Sequence, residues 1–308
     1  MVTIRRLRPD DARGVVDRIV AKLDDDARRN SLVNPSVDEG VLLDTMRHAT
    51  NATWVALDDD KIVGHLYGAV LGDHAQSRAA WTGPDGVSFD DGVLDQLLTA
   101  GVEQWRREHA THHYSWTLLD HESIETWLAL GYETISVRGV MELGPRRPRA
   151  LPAGTVLRVA RATDVNRALE LDRVIDLAQE GSPHATRKDR RATRRELLEL
   201  LEDPEVHHYV VESDGLVLAQ AITFPLPTRR GSFDATLHLS EVVVDPREQG
   251  RGIASAMIDA VLDRARLDGS THVEVQWRVS NDQAANFWTR YGFTPTYARL
   301  GRELGSGK

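Results

Sequence analysis

The residues of this chain best suited to hold an anion lie between Val242 and Ser255. Val242, Val243 and Val244 form a β-branched run, which Asp245 and Pro246 interrupt. Gln249, Gly250, Arg251 and Gly252 then make a glycine-rich turn, and Ile253, Ala254 and Ser255 open a helix. A strand carries the backbone to the edge of a sheet, and two residues without a Cβ let it turn sharply. The first turn of the helix then directs unpaired N–H groups and its positive dipole end outward. A diphosphate is the natural occupant of such a cradle, although an ordinary strand-to-helix turn shares the composition. Arg251 either adds an ion pair to that phosphate or is a solvated cation at the helix start.

The elements around the turn can be read from spacing. Ile253, Met257, Val261 and Ala265 recur at helical intervals, with Asp259, Asp263 and Arg266 on the other side and Gly269 as the stop. Val273, Val275 and Trp277 alternate with Glu274, Gln276 and Arg278, which is strand spacing. Ser280, Asn281 and Asp282 offer an N-cap for a short helix carrying Ala284, Ala285, Phe287 and Trp288, closed by Gly292 and Phe293. This order resembles the acetyl-coenzyme A-binding half of the GNAT superfamily of N-acetyltransferases. Its signature, Gln/Arg-x-x-Gly-x-Gly/Ala, is met by Gln249, Gly252 and Ala254, and its later Asn and helix-ending Gly-Phe by Asn281, Gly292 and Phe293.

With 308 residues, the chain is long for one domain and sufficient for two, each with its own core. It has no apolar run of the roughly 20 residues a membrane span needs, and Met1, Val2, Thr3, Ile4 and Arg5 do not form a signal-peptide core, so a cytoplasmic protein is expected. No cysteine is present, which excludes disulfides, thiolate metal sites and a cysteine acyl-enzyme. A net charge of −9 argues against nucleic acid as a partner, since phosphate binding needs a basic face. His109, His112 and His113 cluster without a carboxylate at ligand spacing, so no metal site is expected.

The chain is also written twice. Trp116, Asp120, Trp127, Gly131 and Tyr132 stand 161 residues before Trp277, Asn281, Trp288, Gly292 and Phe293. Ile4, Arg5 and the following residues to Asp11 echo Leu157, Arg158 and the following residues to Asp164. Both halves then carry a strand pair around an acidic turn, residues 53–57 with 61–70 and residues 208–212 with 216–224. The proline-rich stretch 144–152 marks the boundary. The expectation is an α+β protein with a mixed α/β sheet, made of two tandem GNAT-like acyl-CoA N-acyltransferase domains over residues 1–146 and 147–308. The same offset carries Gln249, Gly250, Arg251 and Gly252 onto Ser88, Phe89, Asp90 and Asp91. Carboxylates there would repel a diphosphate by kcal/mol, so the first domain is read as degenerate, without coenzyme A. Such a layout is similar to that of mycothiol synthases and related two-domain acetyltransferases.

The resemblance implies transfer of an acetyl group from acetyl-CoA to the amine of a small molecule, by direct attack in a ternary complex. Val242, Val243 and Val244 would pair their backbone with the pantetheine arm as if it were an added strand, and one of their N–H groups would hold the oxyanion. Gln249, Gly250, Arg251, Gly252, Ile253, Ala254 and Ser255 would hold the diphosphate. Asn281 either bonds the arm or caps its helix, and Trp288 falls among the cofactor-contacting positions. Glu241 is the first candidate for the base and His238 the second, with proton loss through water or the substrate as a third route. Strict alternation puts Glu241 on the face opposite Ser240 and His238, and a bulge would reverse that. Where some relatives keep a glutamate this chain has Gln276, and where they commonly keep a proton-donating tyrosine it has Trp288. Tyr291 is read as a packing residue, as its counterpart Leu130 suggests. These departures support an alternative, a non-catalytic acyl-CoA-binding protein that senses or docks. O-acyl transfer and longer acyl groups also fit the motif. Residues 171–202, with the charged stretch 187–195, are where acceptor specificity is expected, and Trp277 is expected in the core. Expected partners are a small-molecule amine, no nucleic acid and no membrane, in a monomer or homodimer.

Overall fold

The computed structural model of the protein describes residues 2–72, 78–179, 193–227 and 230–305. The first half runs β1 (Thr3–Arg6), α1 (Ala12–Arg29), α2 (Glu39–His48), β2 (Thr53–Asp58), β3 (Lys61–Tyr67), β4 (Ala69–Leu71), β5 (Ala79–Thr82), β6 (Val87–Phe89), α3 (Leu94–Arg107), β7 (His112–Leu118), α4 (His121–Leu128) and β8 (Glu133–Glu142). The second runs β9 (Val156–Val159), α5 (Val165–Gln179), α6 (Arg194–Glu202), β10 (His207–Ser213), β11 (Leu216–Pro225), β12 (Thr236–Val244), α7 (Ile253–Leu267), β13 (His272–Arg278), α8 (Asp282–Tyr291) and β14 (Thr294–Glu303). The element order repeats, except that β11 and β12 each have two shorter counterparts, β3 with β4 and β5 with β6. Both predicted strand pairs form, β2 with β3 and β10 with β11, each antiparallel. Their tight turns take Asp59 and Asp214 into left-handed backbone at φ 52° and 48°, a region aspartate tolerates better than most residues. Among the described residues no helix is long and apolar enough to cross a membrane.

The chain forms two compact units, and neither is one half of the sequence. One contains Met1–Val137, Arg230–Ser232 and Thr296–Lys308; the other contains Arg138–Arg229 and Phe233–Pro295. Most of β14 therefore belongs with the first half, where Tyr297 to Glu303 pair antiparallel with Leu118 to His112 of β7. Conversely, β8 from Arg138 onward belongs with the second half, next to β13. Each repeat has thus given part of its last strand to the other unit.

In the first unit, β1, β2, β3 and β6 make a four-stranded sheet. One core joins Leu97, Leu98 and Trp105 of α3 to Leu66, Trp127 and Leu300, and α1 and α2 bury Ile19, Leu23, Leu42 and Met46 against Val55. Two histidines are sealed inside. His65 bonds Ser88 Oγ (2.7 Å) and the Asp85 carbonyl (3.0 Å); His113 bonds Thr82 Oγ1 (2.9 Å) and Tyr132 Oη (2.5 Å). Burial lowers the imidazole pKa to about 4 for His65 and to about 3 for His113. Both rings are neutral in the fold, whereas the unfolded chain takes up a proton on each below about pH 6.5. Stability from these sites is therefore present above that pH and falls on acidification, by about 1.4 kcal/mol per pH unit per ring down to about pH 4. Urea denaturation of this unit followed from pH 7 to pH 4.5 should show that loss, and His113→Gln should remove about half of its slope. A flat stability over the range would refute the assignment.

In the second unit the strand order is β8, β13, β12, β11, β10, β9. Only the β12–β13 pairing among those resolved in register is parallel. Helix α7 buries Ile253, Met257, Val261 and Ala265, the face its spacing predicts, while Leu171 of α5 packs with Val210, Val217 and Val243. Asp259, read as lying on the outer face of α7, is buried, since Tyr291 Oη donates to its carboxylate and the Arg149 N–H does so at 3.0 Å. Trp277 is core, 6% exposed.

Candidate functional site

The site begins with an irregularity in β12. Against β11, Phe224 pairs with His238, Thr223 with Leu239 and Ile222 with Ser240; the register then shifts, and Gln220 pairs with Val243. Two residues, Glu241 and Val242, thus stand opposite Ala221 alone. Glu241 takes a left-handed φ of 47°. This is a β-bulge, the departure from alternation that could turn Glu241 toward the face of its neighbours, and it bends and twists the strand.

On its other side β12 parts from β13. Thr236 pairs with His272, Leu237 with Val273 and His238 with Glu274, and no register partner follows. Yet β12 continues to Val244 and β13 to Arg278. The divergence leaves the β13-facing N–H and C=O groups of residues 240–244 without a strand to pair with. Ser240, Glu241 and Val242 are half-buried there, between buried residues on either side. An inner strand with an unpaired edge can accept an extended, amide-bearing guest as a further strand.

The edge leads straight into the glycine turn. Asp245 closes β12: its carboxylate accepts from the Arg247 N–H at 2.9 Å and pairs with Arg247 and Arg167, and its own N–H bonds the Leu218 carbonyl at 2.8 Å. The hydrogen bonds from Arg247 hold its carboxyl well below the usual carboxylate range. Gly250 and Gly252 then take φ of 79° and 81°, left-handed values that favour glycine, and a Cβ at either would project into open space. Gly252 caps α7 with no side-chain bond, and the first helical bond runs from the Ala256 N–H to the Gly252 carbonyl at 3.0 Å. The N–H groups of Ile253, Ala254 and Ser255 precede that bond and have no partner within the helix. Ile253 is buried and anchors the helix, while Ala254 and Ser255 are half-buried. The Arg251 guanidinium pairs with Glu248, so in this structure its charge is engaged locally.

The remaining expected residues lie on α8. Asn281 is its N-cap, and Oδ1 accepts from the Ala284 N–H at 2.9 Å, so the capping reading describes the amide oxygen here. Trp288 is 7% exposed and packs edge-on against Phe287 and Phe293. The Tyr291 hydroxyl donates to Asp259 and receives Arg146 at 3.4 Å, and burial raises its pKa far above the ordinary phenol value. That agrees with a packing role rather than that of a proton donor. Of residues 187–195, only 193–195 are described: Thr193 caps α6, and Arg195 pairs with Glu199.

Sequence reasoning missed the groups behind His238. His238 Nδ1 lies 3.7 Å from Glu274 Oε1, and Glu274 Oε2 lies 3.5 Å from Arg138 Nε. Glu274 shares a face of β13 with the exposed Gln276, yet it is itself only 4% exposed. The available signal was a charge inside an otherwise buried run, as in β8, where Arg138 stands among Ile135, Val137 and Val140.

The structure also corrects the correspondence between the halves. Ala80 pairs with His113 as His238 pairs with Glu274, so Ala80 matches His238 rather than Glu241. Helix α3 starts at Leu94 with Val93 as N-cap, so the counterparts of Gln249, Gly250, Arg251 and Gly252 are Asp90, Asp91, Gly92 and Val93. A shorter connection makes the offset of 161 fail across this segment. Both carboxylates nonetheless stay before the helix, Asp90 paired with Arg18 at 2.8 Å, and Val93 keeps an ordinary φ of −96°.

Residues 171–293 match the model of the acetyltransferase (GNAT) family, a span that includes β12, the glycine turn and α8. No curated protein matches the chain by sequence. Among solved structures, a GCN5-related N-acetyltransferase from Sphaerobacter thermophilus is 16% identical and superposes with a TM-score of 0.64, covering 100% of this chain and 97% of its own. A tandem GNAT protein from the clavulanic acid biosynthesis pathway, solved without AcCoA, is also 16% identical, with a TM-score of 0.55 and 100% of both chains covered. At such identity the likeness speaks for the fold: two GNAT-like domains in series. The sequence match to that family falls entirely within the second half of the chain.

Proposed function

We propose that the second half binds acetyl-CoA and transfers its acetyl group to the amine of a small molecule in a ternary complex. The observation that carries this reading is the parting of β12 from β13 after His238, leading directly into the uncapped start of α7. Pantetheine amides pair with the free edge at Val242, Val243 and Val244, and the diphosphate rests on the amides of residues 249–255. The amine lone pair attacks the thioester carbonyl, a C–N bond forms and the C–S bond breaks, and a β12 N–H at the bulge holds the charge developing on oxygen. His238, at the vertex of the cleft, takes the amine proton. Glu241 is the second candidate, favoured by its left-handed φ: backbone held in that region by a non-glycine residue concentrates at functional sites. With Trp288 packed away in an aromatic cluster, the departing thiolate takes its proton from water, and the proton that His238 accepted returns to solvent.

The first half serves as a scaffold without coenzyme A, because Asp91 and Val93 stand in place of left-handed Gly250 and Gly252, and Asp90 in place of neutral Gln249. Calorimetry with acetyl-CoA should find one site per chain, unaffected by Asp91→Asn. Release of free thiol with a panel of primary amines should then show turnover that His238→Ala lowers at least 100-fold. Binding without turnover for any amine would favour the non-catalytic acyl-CoA binder, and no binding would overturn both readings.

A further inference from the structure

His238 is the last residue of β12 to pair with β13, and its partner, Glu274, is a carboxylate almost wholly removed from water. Charges that deep persist only when paired. Arg138, 3% exposed, supplies the opposite charge on one side of Glu274, and the imidazole lies on the other. The His238 Nδ1 atom is itself shielded from solvent and has no partner at hydrogen-bond length. Phe224 lies against the ring from β11 with centroids 5.0 Å apart, Glu274 faces it from β13, and Arg138 of β8 acts on it through Glu274.

A neutral imidazole carries its proton on one nitrogen, and the choice is set by what the other nitrogen meets. With the proton on Nε2, the Nδ1 lone pair would face the Glu274 anion in a poorly screened interior, two acceptors 3.7 Å apart. With the proton on Nδ1, the same contact is attractive, and a small rotation of the ring brings it to hydrogen-bond length. Such contacts are often long before substrate is bound. We propose that Glu274 is a positioning residue for His238, holding the ring proton on Nδ1 so that Nε2 offers its lone pair to the acceptor amine. Arg138, ion-paired with Glu274, holds that carboxylate in place. This deepens the assignment of His238 as base and rests on it.

The test reads the tautomer directly, without an acceptor. Nitrogen-15 NMR of the full chain at a pH where the ring is neutral, with His238 assigned by its loss in His238→Gln, should show Nδ1–H as the dominant form. The double variant Arg138→Met/Glu274→Met removes both charges together and leaves no buried ion alone, a kind of exchange often neutral for stability. In it the ratio of Nδ1–H to Nε2–H should fall at least fivefold. For an amine that the wild type turns over, kcat should fall about tenfold while KM for acetyl-CoA stays within twofold. Glu274→Asp, which keeps the charge, should restore part of both and serves as the folded comparison if the double variant does not fold. Dominant Nε2–H in the wild type, or a ratio that neither variant moves, would overturn the proposal even with His238 still required for turnover. Unchanged turnover in His238→Ala would instead remove the base assignment on which it rests.

Discussion

Gly252→Asp should abolish measurable coenzyme A binding while leaving the protein folded. Aspartate is among the favoured N-cap residues, so α7 keeps its start, and it enters left-handed backbone more readily than most side chains. The φ of 81° therefore costs at most about 1–2 kcal/mol. No neighbour stands within 4 Å of the new Cβ, so nothing in the fold must move. The change falls instead on the ligand. A carboxylate about 5 Å from one phosphate charge, at an effective dielectric near 20, is repelled by about 3 kcal/mol. With the loss of close backbone approach, Kd for coenzyme A should rise more than 100-fold. Gly252→Ala separates the contributions, since it adds the Cβ and the backbone strain without the charge and should weaken binding by about tenfold. Calorimetry on both, with thermal denaturation as the folding control, decides the matter. An unchanged Kd in the aspartate variant would place the diphosphate elsewhere and remove the cradle from the proposed site.

Ending the chain at Pro295 should unfold the unit built mainly from the first half, not the one that precedes the cut in sequence. Strand β14 supplies that unit with Tyr297, Ala298 and Leu300, all fully buried, and the residue after it, Leu304, is buried there too. Tyr297 Oη donates to Asp26 at 3.1 Å, Arg302 Nη1 to the Leu130 carbonyl at 2.9 Å, and the Leu304 N–H to the Thr111 carbonyl at 2.9 Å. At about 1.5–3 kcal/mol for each large apolar side chain, burial of these residues is comparable with the whole stability of a domain. Hydrogen exchange by mass spectrometry should show β7 and α3 losing protection in the truncated chain. Gly301→Leu tests the same contact by crowding, since its Cβ would come within 2.3 Å of Ile135 Cδ1 and 3.0 Å of the Tyr114 ring. It should destabilise that unit by roughly 3 kcal/mol, the upper range of overpacking. Native protection of β7 in the truncated chain would contradict the strand exchange.

Much of the site is legible because it is local. Helix spacing, the N-cap at Asn281, the stop at Gly269 and the glycine turn all depend on residues within a few positions of one another, and each forms as its spacing implies. The duplication is equally a property of the string, because two copies of one pattern fold into the same order of elements. Tertiary structure decided the rest. How far β12 follows β13 depends on a bulge opposite Ala221, which is a matter of register between strands and not of composition. Packing between neighbouring strands made Glu274 a buried partner of Arg138 and His238, although Gln276 on the same face of β13 stays exposed. The exchange of β8 and β14 was invisible for a similar reason: a strand's own residues specify that it will pair, while the neighbour it finds is chosen by packing across more than a hundred residues of chain.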